Sequence, residues 1–513
     1  MINLSKRPID GVFNVEVETK RISSTFLDEL ITNHKKKIAP KYRKYQRLYE
    51  NKHKIANRPR KDENKPNNKL SNDYCGQIID TTVGYFLGNP IILSYTEPKK
   101  EKPVVDITPL DVGIDIEELD DTVIQDTLDD ILADNEKDDL FMEWGKEAMI
   151  KGLSHILVYQ DEESKTKLMR ISPEDLIIVY KNSSTKEALY KIRLYDIDTE
   201  DTDKVTHYAE VYDATGYDIF KSTEGAVTGA TLSGYTFVER KPHIFNRIPI
   251  VTTYNNEEKM GDLERVVSLV DDYDKVLSDV SNEFEAFRNA YLMLKNMVAD
   301  KDSINKLKEE GILEVMENGD AKFLTKTIQT EALENHLNRL GANIHKFAQV
   351  PDLSDENFAG NLSGVAIKFK LFGIETKCII KERKMTKAIK ELFKVLYVPI
   401  RVLSGREPDV KNLKTIFTRN IPNNITELVD AVVKLDGKVD KETLLALLPF
   451  IDNPKEVLEK LKADAQAERE NTDPYSPDNI KMDEANLFPN LNAQNSPQND
   501  FDLLGGVTPT QPE

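Results

Sequence analysis

Three closely spaced aspartates, Asp271, Asp272 and Asp274, have the residue type and spacing that a magnesium-dependent nuclease could use. Carboxylate oxygens bind Mg²⁺, and bound Mg²⁺ can activate water for hydrolysis of a phosphodiester. The aspartates also lie between the positions of a long apolar repeat, where they would occupy the polar face of an amphipathic helix. We interpret them as a solvated helical face, and we predict neither a metal site nor a catalytic residue in this chain.

Other enzyme motifs are missing or out of place. The sequence contains no Gly-x-x-x-x-Gly-Lys-Ser/Thr motif, so we do not expect a motor ATPase. In Gly360-Asn361-Leu362-Ser363-Gly364 the serine stands one position too late for a nucleophile elbow, and a loop followed by a helix N-cap accounts for the segment. We therefore predict that the protein is not an enzyme and needs no cofactor.

The cysteine content and the hydropathy of the chain indicate its cellular compartment. The two cysteines, Cys75 and Cys378, have no paired spacing, and the seven histidines are scattered along the chain. No run approaches the roughly 18 apolar residues of a membrane span, and the N-terminus lacks the apolar core of a signal peptide. We expect a reducing, cytoplasmic setting without secretion or membrane insertion.

The net charge of −19 conceals two blocks of opposite sign. Residues 33–69 contain 14 Lys or Arg against three acids, whereas residues 106–139 contain 14 acids against one Lys. Each block by itself is best interpreted as a solvated surface. Together they allow complementary contacts between copies of the chain, which favours self-association.

The three aspartates lie within the strongest apolar repeat in the chain. This repeat predicts a helix of about 32 residues over 263–294. Its apolar positions recur at steps of three and four: Leu263, Val266, Val270, Tyr273, Leu277, Val280, Phe284, Phe287, Tyr291 and Leu294. A second stripe with the same steps follows: Leu333, Leu337, Leu340, Ile344 and Phe347. Because it returns after about forty residues, we expect the two helices to pair within one chain rather than in a two-stranded coiled coil. Between them, segments 312–316 and 321–324 flank Asn318-Gly319, a sequence typical of a hairpin turn, so a small α/β unit should cap the pair.

The second helix must end at Val350-Pro351, because proline donates no amide hydrogen bond and disfavours helical backbone in the residue before it. Residues 352–362 are rich in polar turn formers, and Gly360 permits unusual backbone angles, so we predict an ordered loop with an exposed tip. Ser363 is a good N-cap for the next long helix. One face of that helix is basic, and its apolar residues are Phe369, Phe372, Ile379, Ile389, Leu392, Phe393 and Leu396.

Helices are predicted before and after a region of short strands. Residues 26–57 should be helical with an interruption at Pro40 and tyrosines facing inward, and residues 73–87 should form a helix capped by Ser71 or Asn72. A strand over 91–95 follows.

The middle of the chain predicts a largely antiparallel sheet. A helix over 139–151, closed by Gly152, precedes strands over 156–159, 168–171, 176–180, 189–195, 208–212, 217–221 and 235–239. A strand over 416–419 could rejoin this sheet. Short helices are predicted over 426–435, 441–448 and 455–467, and the chain from residue 468 is predicted to be disordered.

The segment from Asn72 to Pro90, whose helix ends at Gly88-Asn89-Pro90, resembles the hallmark near the N-terminus of tailed-bacteriophage portal proteins. The likeness is greatest to the portals of long-tailed phages that infect Gram-positive bacteria. The order of later parts is similar too: the helix closed by Gly152, Ile171-Ser172-Pro173-Glu174, Ile248-Pro249-Ile250-Val251, the long helix, the hairpin tip, the return helix, Val350-Pro351-Asp352, and Ser363-Gly364-Val365-Ala366 before the basic helix. The resemblance covers most of residues 30–450, and it depends mainly on this order of parts.

The resemblance implies an α+β portal-type subunit that assembles into a ring. The implied parts are a mixed α/β wing over 29–258 completed by 363–430, a long-helix stem over 259–294 and 330–349, a small α/β clip over 295–329, a tunnel loop over 350–362 and a helical crown over 431–467. A flexible N-terminal arm is expected over 1–28 and a disordered acidic tail over 468–513. The tail and the acidic stretch over 106–139 depart from the family pattern, and neither is assigned a role.

The function implied by the resemblance is a ring of about twelve copies at one capsid vertex, through which DNA is packaged and ejected. The implied partners are double-stranded DNA held weakly and without sequence specificity, the terminase large subunit, a head-completion adaptor, and the major capsid and scaffolding proteins. The implied location is the virion, after assembly in the host cytoplasm.

The resemblance also implies site residues. The tunnel loop that touches DNA would consist of Asp352, Leu353, Ser354, Asp355, Glu356, Asn357, Phe358, Ala359, Gly360 and Asn361. Arg339 and Lys346 would line the channel, and Lys306, Lys308 and Glu309 of the clip would dock partners.

Two other hypotheses remain open at the level of sequence. A metal-dependent phage DNA-processing enzyme could use the acidic clusters, and magnesium-dependent cleavage of DNA would support it. A coiled-coil scaffold or adaptor without a channel would instead be a two- or three-stranded assembly in solution.

Overall fold

The computed structural model describes residues 12–15, 21–63, 65–96, 122–181, 187–198, 205–222, 234–287, 291–295, 320–324, 330–353, 364–420, 432–446, 448, 457–458 and 460–463. It mixes helices and strands, which confirms the predicted α+β class. The chain divides into two compact units between Ile421 and Pro422, and each unit is described by itself.

The helices of the first unit lie mostly where the apolar spacing predicts them, although those over Val123–Ala133 and Tyr397–Ser404 are not among the predicted helices. They are α1 (Ser24–Asn33), α2 (Ala39–Tyr49), α3 (Tyr74–Leu87), α4 (Val123–Ala133), α5 (Lys137–Lys151), α6 (Val267–Phe287), α7 (Thr330–Ala348), α8 (Gly364–Lys370), α9 (Phe372–Val395) and α10 (Tyr397–Ser404). Short helical turns of other types span His34–Ile38, Lys54–Asn57, Pro173–Asp175 and Val410–Asn412. None of the described helices is long and apolar enough to cross a membrane.

The strands are β1 (Val12–Val15), β2 (Ile92–Tyr95), β3 (Leu153–Gln160), β4 (Thr166–Ile171), β5 (Leu176–Lys181), β6 (Ala188–Asp198), β7 (Val205–Tyr212), β8 (Gly216–Ser222), β9 (Tyr235–Pro242), β10 (Ile250–Tyr254), β11 (Tyr291–Lys295), β12 (Asp320–Leu324) and β13 (Leu413–Ile416). They form a six-stranded sheet in the order β1-β5-β6-β7-β8-β9, a three-stranded sheet in the order β10-β3-β4, and the pairs β11-β12 and β13-β2.

All seven predicted central strands are present, and every pair between them is antiparallel. The prediction of one sheet is wrong, because β3 and β4 pair with β10 in a separate sheet. The predicted N-terminal arm contains β1, which runs parallel to β5 with Val12 opposite Ile178. The predicted strand over 416–419 lies at Leu413–Ile416 instead, and it pairs with β2 rather than rejoining the large sheet.

The first helices differ from the prediction at their ends. Pro40 lies in the first turn of α2, where no amide donor is needed, so the irregular stretch precedes it at His34–Ile38. The N-cap of α3 is Asp73, whose Oδ1 accepts a hydrogen bond from the Gly76 amide (3.0 Å), and not Ser71 or Asn72. The inward direction of the tyrosines on α2 is confirmed, since Tyr42 and Tyr45 are buried.

The helices α6 and α7 pack against each other within the chain, as predicted. The extension of the first of them to residue 294 is wrong, because α6 ends at Phe287 and the next described segment is β11. The partner of β12 is β11, with Tyr291 opposite Leu324. Segment 312–316, the predicted hairpin partner, lies outside the described residues. Phe284 and Phe347, placed in the apolar stripes by their spacing, are about half exposed.

The main core lies between the helix pair, α3, α5, α9 and the three-stranded sheet. Trp144 on α5 is fully buried in it, and Val266, Val270 and Ile344 bring the helix pair into the same cluster. The six-stranded sheet has its own core under α1, a buried cluster that includes Leu27, Ile31, Ile177 and Phe220.

The second unit is described only in part. Residues 432–435 are helical, and α11 (Lys441–Ala446) begins where Asp440 Oδ2 accepts a hydrogen bond from the Thr443 amide (2.9 Å). These segments fall inside the first two helices predicted for this region, and helical residues 460–463 fall inside the third.

Candidate functional site

An extended segment, residues 68–72, lies along the polar face of α6, and we call it the strap. Its alternate backbone amides donate to three side chains of that helix: Asn68 to Asn282 Oδ1 (2.6 Å), Leu70 to Ser278 Oγ (3.0 Å) and Asn72 to Asp274 Oδ1 (2.8 Å). Two residues of extended chain advance about 6.8 Å, and four helical residues advance about 6 Å, so every second amide meets the next turn of the helix. The strap thereby fixes the rotation of α6.

Asp274 is the centre of this contact, and its side chain is fully buried. Its Oδ2 lies 2.6 Å from Nδ1 of buried His53, and its Oδ1 also accepts a hydrogen bond from Asn72 Nδ2 (3.0 Å). Burial acts to lower the pKa of His53, but the hydrogen bond and charge of Asp274 outweigh burial and raise that pKa above its ordinary value. The prediction that all three aspartates form a solvated face is therefore wrong for Asp274.

The acidic cluster does not form a metal site in the described part of the chain. Asp271 and Asp272 are partly exposed, and Asp272 faces His336 (3.7 Å) rather than Asp274. No group of three His, Cys, Asp or Glu among the described residues could hold a metal ion.

We expect Asp274→Ala to lower the free energy of unfolding by about 2 kcal/mol, because it removes the partner of the buried His53 imidazole and the acceptor of two Asn72 donors of the strap. The measurement is denaturant-induced unfolding at a fixed protein concentration. Asp271→Ala on the same helix is the matched control and should change stability by less than about 0.5 kcal/mol. Equal effects of the two substitutions would contradict the role assigned to the strap.

A second buried cluster joins the segment before α6 to α9. Asp262 Oδ2 lies 2.8 Å from Lys377 Nζ, and Asp262 Oδ1 lies 2.6 Å from Lys381 Nζ. Asn255 Nδ2 donates to Asp262 Oδ1 (2.8 Å), and Lys381 Nζ donates to Asn255 Oδ1. Burial acts to raise the pKa of Asp262, but the two ammonium groups outweigh it and hold that pKa well below its usual range. Burial lowers the pKa of Lys381 to about 8.

Lys377 also reaches the end of α7. Its Nζ donates to the carbonyl oxygen of Ala348 (3.1 Å), the last residue of that helix. A cation at a helix C-terminus is favoured because the last carbonyl groups have no partner within the helix. Lys377 therefore links the segment before α6, the end of α7 and the first half of α9. The end of α7 is followed by Pro351, where the predicted loop begins.

A third polar contact holds the opposite side of α9. Arg419 donates to Glu375 through Nε (2.9 Å) and to Glu382 through Nη2 (2.7 Å). Tyr85 of α3 donates to the same Glu375 carboxylate (2.8 Å). Together with the Asp262 cluster, this network fixes α9 relative to α3 and to the segment after β13.

Sequence comparison identifies the family to which this arrangement belongs. A family profile described as "Phage portal protein, SPP1 Gp6-like" matches residues 28–471, which include the strap, the helix pair and all three polar contacts. The chain belongs to this family of phage portal proteins. The resemblance inferred from the order of parts is thereby confirmed.

Two relatives in the portal family support the assignment. The portal protein of Bacillus phage SPP1 is 27% identical over 331 residues, which are 61% of this chain and 64% of the relative. The portal protein of Clostridium phage phiCD119 is 27% identical over 302 residues, which are 57% of this chain and 64% of the relative. The matched region thus spans 64% of the length of each relative.

The structure describes only some of the site residues expected of a portal subunit. Arg339 and Lys346 are exposed on α7, and neither has an ion-pair partner among the described residues. Asp352 Oδ1 lies 4.0 Å from Nε2 of His345, and Leu353 is exposed. The remaining loop residues, Ser354 to Asn361, and the clip residues Lys306, Lys308 and Glu309 lie outside the described residues.

Sequence reasoning missed the buried lysines of α9, because it assigned them to a basic surface. The sequence nevertheless contains a pattern that indicates burial of one of these lysines. Lys381 follows Ile374 and Cys378 and precedes Met385 at steps of four, three and four, which is the spacing of a buried stripe. A lysine in such a stripe requires a buried acid nearby, and Asp262 is that acid.

Proposed function

We propose that this protein is the subunit of a phage portal, a ring of about twelve copies at one vertex of the head through which DNA is packaged and later ejected. The match of the portal family over residues 28–471 carries the proposal. The protein would act as a conduit in the virion and not as an enzyme, and its assembly would take place in the host cytoplasm. The comparisons lend no support to a DNA-processing enzyme or to a scaffold without a channel.

The architecture of the described residues agrees with the portal parts. We assign α6 and α7 to the stem, with the first stem helix ending at Phe287, and the β11-β12 pair to the tip that continues into a clip over 295–329. The sheets and α1 to α5 would form the wing, completed by α8 to β13, and residues 431–467 would form the crown. Buried polar contacts on both sides of α9 support a rigid junction between wing and stem.

Immunogold electron microscopy of virions and empty heads tests the proposed location. Antibody against this protein should label one vertex of each head, and antibody against the major capsid protein should label the whole shell. Heads assembled without this protein should contain no DNA. Labelling spread over the shell, or normal DNA content without the protein, would contradict the proposal.

We further propose that residues 352–361 form a tunnel loop that touches DNA, with Arg339 and Lys346 lining the channel. The exposure of both cations on α7, immediately before this loop, supports the proposal. Weak and non-specific contact with phosphates is expected, because tight binding would stall moving DNA.

In the tunnel-loop test, Asn357→Cys is introduced after removal of the buried background thiols Cys75 and Cys378. The new thiol should cross-link neighbouring subunits in empty heads and become unreactive in DNA-filled heads. Lys414→Cys, at an exposed position of β13, should react equally in both. Equal reactivity of Asn357→Cys in both kinds of head, with normal packaging after residues 354–359 are shortened, would exclude a channel position for the loop.

The clip is proposed to dock the terminase large subunit during packaging and a head-completion adaptor afterwards. Charge reversal at Lys306, Lys308 and Glu309 should weaken both contacts while rings still form, because the three positions lie outside the two stem helices in the sequence. Binding of each purified partner to immobilised rings measures the effect. Unchanged binding of both partners would refute this docking site. Contacts with the major capsid and scaffolding proteins are proposed as well.

A further inference from the structure

An apolar stripe lies on the exposed face of α8 and α9. It consists of Phe369, Phe372, Ile379 and Ile380, and its two phenylalanines are 78% and 70% exposed. The helix passes through Leu371 without losing its hydrogen bonding, because the Leu371 amide donates to Ile367 (3.0 Å) and the Glu375 amide donates to Leu371 (3.0 Å). Phe369, Ile379 and Ile380 lie three, seven and eight residues from Phe372, so the four side chains are on one face of the helix.

The opposite face of α9 is buried inside the subunit. Ile374, Cys378 and Met385 are buried in the main core, and Lys381 is held by Asp262. The helix cannot rotate to bury the stripe without breaking that ion pair and exposing those residues. The stripe is thus fixed at the surface.

The size of the stripe matches the apolar part of a protein interface. With their exposed fractions, the four side chains present roughly 450 Å² of apolar surface. A standard interface buries about 800 Å² on each partner, of which somewhat more than half is apolar. A patch of this area is in the range of the largest apolar patch on a protein surface, and such patches are often interaction sites.

We infer that the stripe binds a second copy of this chain and is the apolar part of the contact between neighbouring subunits. The inference rests on the proposed ring, in which each subunit must present two complementary surfaces. Charge supports the choice of partner. Arg383 and Lys387 are exposed and continue the same face beyond the stripe, and a second copy offers an acidic surface for them at the exposed Asp126, Asp129 and Asp130 of α4.

In this arrangement α9 would connect the neighbouring subunit to the end of α7. Its outer face would bind the neighbour, while Lys377 on its inner side donates to the end of α7. Binding of a neighbour would then stabilise the point where α7 gives way to the loop.

Photo-cross-linking of the purified full-length protein tests the partner directly. Phe372 is replaced by p-benzoylphenylalanine, and the illuminated sample is separated on a denaturing gel. A covalent dimer is expected, and cross-linked peptides should join residue 372 of one copy to another copy. Monomer alone after illumination of assembled protein, or cross-links formed only to a different virion protein or to lipid, would overturn the inference.

The double substitution Phe369→Ser and Phe372→Ser tests the energetic role of the stripe. We expect the ring fraction in size-exclusion chromatography to fall at least tenfold, with the thermal unfolding of the subunit unchanged. The control is Val402→Ser with Leu403→Ser on α10, a pair of similar exposure (73% and 67%), which should still assemble. If the unsubstituted protein forms rings and the stripe variant forms them equally well, the inference fails and the proposed function stands. If the unsubstituted protein forms no rings, the proposed function itself fails.

Discussion

Asp262→Ala is expected to lower the free energy of unfolding by about 3–5 kcal/mol, because it leaves two lysine ammonium groups buried without their counter-charge. Lys377 and Lys381 lie 2.8 and 2.6 Å from the two oxygens of the Asp262 carboxylate. Denaturant-induced unfolding measures the change, and the fluorescence of Trp144 reports it, since this tryptophan is buried in the same core and no other exists in the chain.

Glu258→Ala is the matched control for this prediction, because Glu258 is an exposed acid four residues earlier in the chain. It should change stability by less than about 0.5 kcal/mol. The lowered pKa of Asp262 fixes the sign of the pH effect. The unfolded protein takes up this proton at a higher pH than the folded one, so the contribution is present above about pH 4 and is lost as the pH falls further. A loss of less than about 1 kcal/mol for Asp262→Ala would contradict the role of the cluster.

Gly152→Ala should cost about 3 kcal/mol, for two separate reasons. The backbone at Gly152 has φ of 92°, which side chains other than glycine rarely adopt, and an added Cβ would collide with the carbonyl oxygen of Lys259. That neighbouring segment cannot move away, because the Asn255 amide donates to Gly152 (2.9 Å) and the Asp262 amide donates to Met149 (2.7 Å).

Gly405→Ala separates these two causes. Gly405 also has a positive φ, 69°, but an added Cβ there would meet no neighbouring atom. It should cost only about 1 kcal/mol, the price of the backbone conformation alone. Trp144 fluorescence again measures unfolding in both variants. Equal losses would show that the close approach of the Lys259 backbone is unimportant.

The seven central strands and several helix ends were predictable because they depend on local sequence. The end of α5 at Gly152 and the end of α7 before Pro351 follow from backbone preferences of single residues. The partners of the strands were not predictable in the same way, because pairing joins distant segments. The apolar run Tyr291–Lys295 fits both the helical repeat and a short strand, and only its pairing with Asp320–Leu324 decides for the strand.

The buried polar contacts were missed for a related reason. Asp274 lies on the polar side of α6, and nothing within that helix indicates that residues 53–72, about two hundred positions earlier, cover it. The apolar periodicity measures which face of a helix is buried against apolar groups, and it does not report burial against a polar segment. The order of parts was informative where periodicity was not, since it identified the portal family.

Single-particle electron microscopy of the purified full-length protein tests the central claim most directly. We predict closed rings of about twelve copies with a central channel, in which α6 and α7 of each subunit stand around the axis and the stripe on α8 and α9 faces the neighbouring copy. Monomers, dimers or open filaments without a channel, obtained across a range of salt and protein concentrations, would contradict the proposed portal function.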